Sequence, residues 1–191
     1  MVFMTRRLAL VAPLIALFSY VAIAEPQGSV EGTELELQVK AAFVVSFAKF
    51  TQWPELVLPP GASIQIGIVG QDEIFPFFRE AAKGKTAEGH PTGVRKIKTL
   101  EDARTCQILF FGGPLTREAG ELLATIEQES ILTVGDTHEF AAAGGMLQLF
   151  IDNNRIAFRA NLASIDRSGL KVSSKLLRLA HAGVSVKERR N

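Results

Sequence analysis

Asp136, His138 and Glu139 stand within four positions of one another. Two carboxylates and an imidazole are donors from which metal sites are built. No second histidine follows at motif spacing, and His181 lies far along the chain, so a conventional zinc site is not expected. Thr86, Glu88 and His90 share a soft loop, where such side chains usually face water. Glu101 and Asp102 are adjacent acids, but general acid–base work needs a fold that wraps them around a substrate and separates their pKa values. No serine occupies a nucleophile elbow. The chain reads as a non-enzyme without cofactor or metal.

The glycines point the same way. Gly67-Ile68-Val69-Gly70 lacks the spacing of a dinucleotide fingerprint, and no glycine-rich turn leads into a phosphate-loop lysine with serine or threonine. Gly144-Gly145 precedes an apolar run, which favours a tight entry turn or close backbone packing over phosphate binding. With 21 basic against 20 acidic residues, no run is dense enough to grip nucleic acid. The spread cations Arg167, Lys171, Lys175 and Arg178 read as a solvated face.

The elements that position these residues follow from hydrophobic spacing. Leu35, Val39, Ala42, Phe43, Phe47 and Phe50 recur mostly three or four apart, predicting a helix from Glu34 that ends at Trp53-Pro54. Short apolar runs at 63–69, 108–111 and 131–134 predict strands alternating with helices over 75–82 and after Thr116. Residues 88–93 read as loop, and 94–97 as a short edge strand. Residues 146–151 and 155–159 flank Asp152-Asn153-Asn154 as a hairpin. Asn161 and Ser173 or Ser174 are positioned to cap the last two helices, with Gly169 at the exit of the first. The expected fold is a single α/β domain with a mixed sheet, a parallel centre, a C-terminal antiparallel hairpin and helices on both faces.

In such a sheet the loops after parallel strands converge at one edge. Gly70, Gln71 and Asp72 are thereby expected near Gly112, Gly113, Gly135 and Asp136. Two readings stand for this constellation: a crevice that holds a small ligand through backbone groups and carboxylates, or ordinary turns. Phe75, Phe77 and Phe78 cannot all face the core from one regular helical face. They read either as a protein-recognition surface or as an aromatic-rich core.

Arg6-Arg7, the apolar run from Leu8 to Val21 and the small residues of Ala22-Ile23-Ala24 read as a removable export signal over 1–24, with a retained anchor as the alternative. A flexible leader over 25–33 and one domain over 34–187 follow. Cys106 is the single cysteine, so no internal disulfide is available. Its place before an apolar strand suggests a buried inert thiol, with an intermolecular bridge or a reactive thiol as the alternatives.

Beyond these patterns, Ala41-Ala42-Phe43, Phe47-Ala48-Lys49-Phe50, Trp53-Pro54, Cys106-Gln107-Ile108-Leu109-Phe110, Ile131–Asp136, Phe140, Gly144-Gly145-Met146, Arg155–Phe158, Asn161–Ala163 and Gly169–Ala180 together resemble the YfiR-like family, over roughly Leu37 to Ala180. The resemblance implies a non-catalytic periplasmic α/β domain that binds the periplasmic region of an inner-membrane diguanylate cyclase and represses it. It further implies control of cyclic-di-GMP, biofilm formation and motility, capture by an outer-membrane lipoprotein, and a homodimer. A family repressor relies on internal disulfides, which a chain with Cys106 alone does not share. A small-molecule-binding periplasmic sensory domain is the alternative.

Overall fold

The structure, a computed structural model, describes residues 28–153 and 155–180. The expected export signal, the first residues of the leader and the end of the expected domain beyond Ala180 lie outside them. Helix α1 (Gly28–Phe47) starts six residues before the position that spacing suggested. Ala41, Val44, Val45 and Ala48 recur at helical intervals and are buried, which defines the face that α1 lays on the sheet. A 3-10 turn at Ala48–Phe50 ends it, and the Thr51 hydroxyl donates back to the Phe47 carbonyl at 3.0 Å. The chain then enters strand β1 (Thr51–Gln52).

The remaining elements follow as β2 (Ile64–Gly70), α2 (Phe75–Ala82), β3 (Thr86–Ala87), β4 (His90–Lys96), α3 (Leu100–Arg104), β5 (Ile108–Gly112), α4 (Arg117–Thr125), β6 (Leu132–Gly135), β7 (Leu147–Asp152), β8 (Arg155–Ala160), α5 (Leu162–Ser168), β9 (Lys171–Val172) and α6 (Ser174–Leu179). Seven strands form one sheet in the order β3-β4-β2-β5-β6-β7-β8, while β1 and β9 pair antiparallel as a separate two-stranded sheet. From β4 to β7 the neighbours run parallel; β3 and β8 add antiparallel edges. The expected architecture, parallel at the centre with a terminal hairpin, is the one observed.

Side-chain alternation along β5 shows how the sheet is covered. Ile108 and Phe110 join the core beneath α1 and α2, whereas Leu109 and Phe111 join a second core with Ala103 of α3, Leu123 of α4 and Phe140. Each of these large side chains contributes about 1.5–3 kcal/mol when fully buried. Helices thus cover both faces. Thr116, Asn161 and Ser173 accept backbone N–H bonds at the starts of α4, α5 and α6, and Gly169 exits α5 at φ 72°.

The segment predicted as loop and edge strand is different. β4 begins at His90, and its stretch Thr92–Lys96 lies in register with Ile64–Ile68. A two-residue hairpin turn of Glu88 (φ 50°) and Gly89 (φ 86°) folds β3 back over its start, so β4 is an interior strand there. Positive φ at both turn positions gives the twist that antiparallel strands require.

Candidate functional site

The strand order itself locates the site. The chain passes from β2 to β4 on one side and then returns to β5 on the other, so the order reverses across the β2–β5 pair. Ligands of open α/β sheets sit at the carboxyl ends of the strands at such a reversal. Gly70 and Gly112 are register partners there. Gly70 has φ 91°, and a Cβ on it would lie 2.6 Å from the Gly112 carbonyl oxygen, so the two strands close at this edge only with glycine.

Asp136 leaves β6 and turns back into the edge. One carboxylate oxygen accepts the Gly113 N–H at 3.1 Å, and the other accepts the Lys40 ammonium at 2.8 Å. Lys40 also reaches Glu36 at 2.7 Å on its own helix. The side chains of Lys40 and Asp136 are 12% and 8% exposed, so this is a largely buried clasp between α1 and the strand ends. Burial by itself lowers the Lys40 pKa, but its bonds to Asp136 and Glu36 outweigh that and leave the pKa above its ordinary value.

Around this clasp the expected constellation divides. Gln71, Gly113 and Asp136 line a cleft of about 480 Å³ together with Glu36, Lys40 and Thr137. Gly70, Gly112 and Gly113 line a second cleft of about 440 Å³ on the α3 and α4 side, walled by Val69, Ile97, Leu100, Phe111, Leu115 and Leu122. Asp72 stands away from both, paired with Lys96 of β4 at 2.8 Å. Gly135 is a packing position, because a Cβ there would overlap the Phe140 ring. The Thr137 hydroxyl is buried without a hydrogen-bond partner.

Lys40 and the apolar wall of the second cleft were not found by sequence reasoning. A lone cation among buried positions of α1 was the one available signal for Lys40. Of the three phenylalanines, Phe78 is buried with its ring 5.0 Å from Phe110, so it belongs to the core. Phe75 and Phe77 are half-buried, and the Lys96 ammonium sits 5.3 Å from the Phe75 ring centroid.

The other chemical groups are dispersed. His138 and Glu139 point to solvent while Asp136 points inward, and among the described residues no three His, Cys, Asp or Glu side chains gather as a metal site. Asp102 completes a capping box with Thr99 at the start of α3. Cys106 is fully buried, and burial pushes its thiol up to about 11. A raised pKa with no access makes the native thiol inert. We expect less than a tenth of an equivalent to react with an aromatic disulfide reagent at pH 8, and a full equivalent after denaturation. Rapid native labelling would contradict the burial.

The protein is thus a doubly wound α/β domain whose strand ends are tied by a buried Lys–Asp clasp, with clefts on either side. Residues 37–181 match the YfiR/HmsC-like family, and the chain belongs to that family. At the level of the family this supports non-catalytic, periplasmic regulation of diguanylate cyclases. Among the described residues no helix is long and apolar enough to cross a membrane.

Proposed function

We propose that this chain is a periplasmic regulatory protein that binds the periplasmic region of an inner-membrane diguanylate cyclase and represses it. The observation that carries this reading is the family match, which spans nearly every described residue from the middle of α1 to the end of the fold. Repression requires tighter binding to the inactive form of the cyclase than to the active one; contact with equal affinity for both would shift nothing. Capture of the domain by an outer-membrane lipoprotein, or a change in its homodimer equilibrium, then relieves the restraint.

The test is reconstitution. Membranes carrying the cognate cyclase, given increasing amounts of the exported domain on their periplasmic side, are expected to lose at least three-quarters of their cyclic-di-GMP synthesis in a saturable way. The cyclase should be recovered with the domain on affinity capture. Undiminished synthesis at saturation would defeat the proposal.

A second reading has its own support in the largely apolar 440 Å³ cleft at the strand-order reversal, a volume within the range of small-molecule sites. Here the domain senses an apolar small molecule. Such a ligand would raise the melting temperature in a concentration-dependent way. Leu122→Arg, which puts a long charged side chain into the cleft lining, should remove that rise.

A further inference from the structure

The seven-stranded sheet ends at β8, which bonds to β7 on one side. On its other side no backbone hydrogen bond arrives from any described residue. The opposite edge is treated differently: β3 is two residues long, and exposed Arg95 and Lys96 flank the part of β4 that β3 leaves uncovered. Short edge strands and charges discourage pairing there. β8 is six residues long, and its two charges, Arg155 and Arg159, oppose a like-charged strand but suit an acidic one.

The direction of its free groups follows from the ladder. In an antiparallel pair, alternate residues exchange both backbone bonds with the partner, and the residues between them turn their N–H and C=O groups away. Asn161 donates its N–H to the Met146 carbonyl at 2.8 Å, which sets the phase. Counting back through the register, Arg159, Ala157 and Arg155 bond to Gln148, Phe150 and Asp152. Ile156, Phe158 and Ala160 therefore direct their backbone groups outward.

Side chains divide with the opposite logic. Phe158 is buried against Phe47 on the α1 face, with ring centroids 5.2 Å apart. Arg155, Ala157 and Arg159 stand on the other face of the sheet. The Arg159 guanidinium lies 4.3 Å from the Phe150 ring centroid, which holds it against the sheet. Neither arginine forms an ion pair with a described residue. Asp152 lies across from Arg155 in the register.

We propose that β8 accepts an extended acidic segment of a protein partner by strand addition. The main chain of that segment bonds to Ile156, Phe158 and Ala160, and its carboxylates four residues apart meet Arg155 and Arg159. Main-chain bonds supply affinity in this mode and alternate side chains supply specificity. A second copy of β8 fits less well, because edge-to-edge pairing would bring four arginines onto one face. The inference is independent of the cyclase reading, since it names the chemistry of the occupant and not the protein that carries it.

The experiment measures amide hydrogen exchange in the full chain with an eight-residue peptide alternating Glu and Thr, against one alternating Lys and Thr. At saturation the Glu peptide is expected to slow exchange at Ile156, Phe158 and Ala160 at least tenfold, with no slowing by the Lys peptide. The combined change Arg155→Glu and Arg159→Gln should weaken the Glu peptide at least tenfold. Ile156→Pro removes an outward donor without touching the bonds to β7 and should abolish protection. Should that variant unfold, the Glu peptide methylated on alternate backbone nitrogens, in either phase, replaces it, and one phase should fail to protect. No slowing, or equal slowing by both peptides, would overturn the proposal. So would slow exchange at these amides before peptide is added: dilution-dependent protection would assign the edge to a second copy, and dilution-independent protection to the chain itself.

Discussion

Gly145→Ala is expected to destabilise the domain by about 3 kcal/mol, at the upper end of overpacking in a closed core. The Phe140 ring is fully buried and lies 5.4 Å from the Phe111 ring, centroid to centroid. Gly135 and Gly145 both back onto it, and a Cβ at either position would overlap ring atoms. The Phe140 N–H and carbonyl are also engaged, with Thr137 and Gly145 respectively, so the segment cannot easily lift the ring away. Urea denaturation should show a lower midpoint with an unchanged slope. Phe140→Leu makes room, so the double variant should cost less than the sum of the two single changes. A Gly145→Ala protein as stable as the parent would show that the ring does not occupy this slot.

That slot also shows what pattern can and cannot deliver. Gly144-Gly145 before an apolar strand reads as a tight entry turn or close backbone packing, and the pair divides between the two: Gly144 takes φ 102° in open space, while Gly145 packs on the Phe140 ring. Gly135 was placed in the crevice by the rule that parallel strand ends converge. Convergence is real: Gly70 pairs with Gly112, and Gly113 bonds to Asp136. The rule cannot tell which residue forms the floor and which the rim, because that depends on Phe140, five positions further on.

Elements that were missed or misread share one cause: their signals are shorter than a periodicity can register. α3 has five residues, and only the Thr99–Asp102 capping box announces it. β1 and β9 are two residues each and exist only through pairing across most of the chain. The hairpin before β4 turns on Glu88-Gly89, in which glutamate takes a positive φ that asparagine or aspartate would have advertised. Helix caps at Thr116 and Asn161 were legible, since a side chain bonding its own helix is a local event.

The Lys40–Asp136 clasp was illegible for the opposite reason: its partners are 96 positions apart. Its removal is the second large effect expected. Lys40→Met keeps most of the stem volume but leaves the Asp136 carboxylate with the Gly113 N–H and no cation. Asp136→Asn places an amide against the ammonium. Breaking a buried pair from one side costs about 3–5 kcal/mol, and partial exposure of Glu36, the other partner of Lys40, moves the expectation toward the lower bound, about 3 kcal/mol for each. Changing both should cost less than either alone, since neither group is then left facing an unmatched one. Strict additivity in a double-mutant cycle would show that the contact carries no coupling.

The same clasp sets a sign for alkaline stability. The folded-state pKa of Lys40 is raised, so its contribution is complete below the ordinary lysine value near 10.5 and is lost as pH rises through the folded value. Cys106, raised from 9.0 to about 11, acts in the same direction but earlier, over about pH 9 to 11. Its two-unit shift corresponds to about 2–3 kcal/mol. Denaturation midpoints of the parent should therefore fall progressively above pH 9, with Cys106 contributing first and Lys40 adding to the fall from about pH 10.5 upward. Lys40→Met should keep the fall that begins near pH 9 and soften it above about pH 10.5, while Cys106→Ala should delay the onset of the fall beyond pH 9. An identical alkaline profile for Lys40→Met and the parent would mean that Lys40 titrates alike in folded and unfolded chains, and that nothing at the strand ends holds its proton.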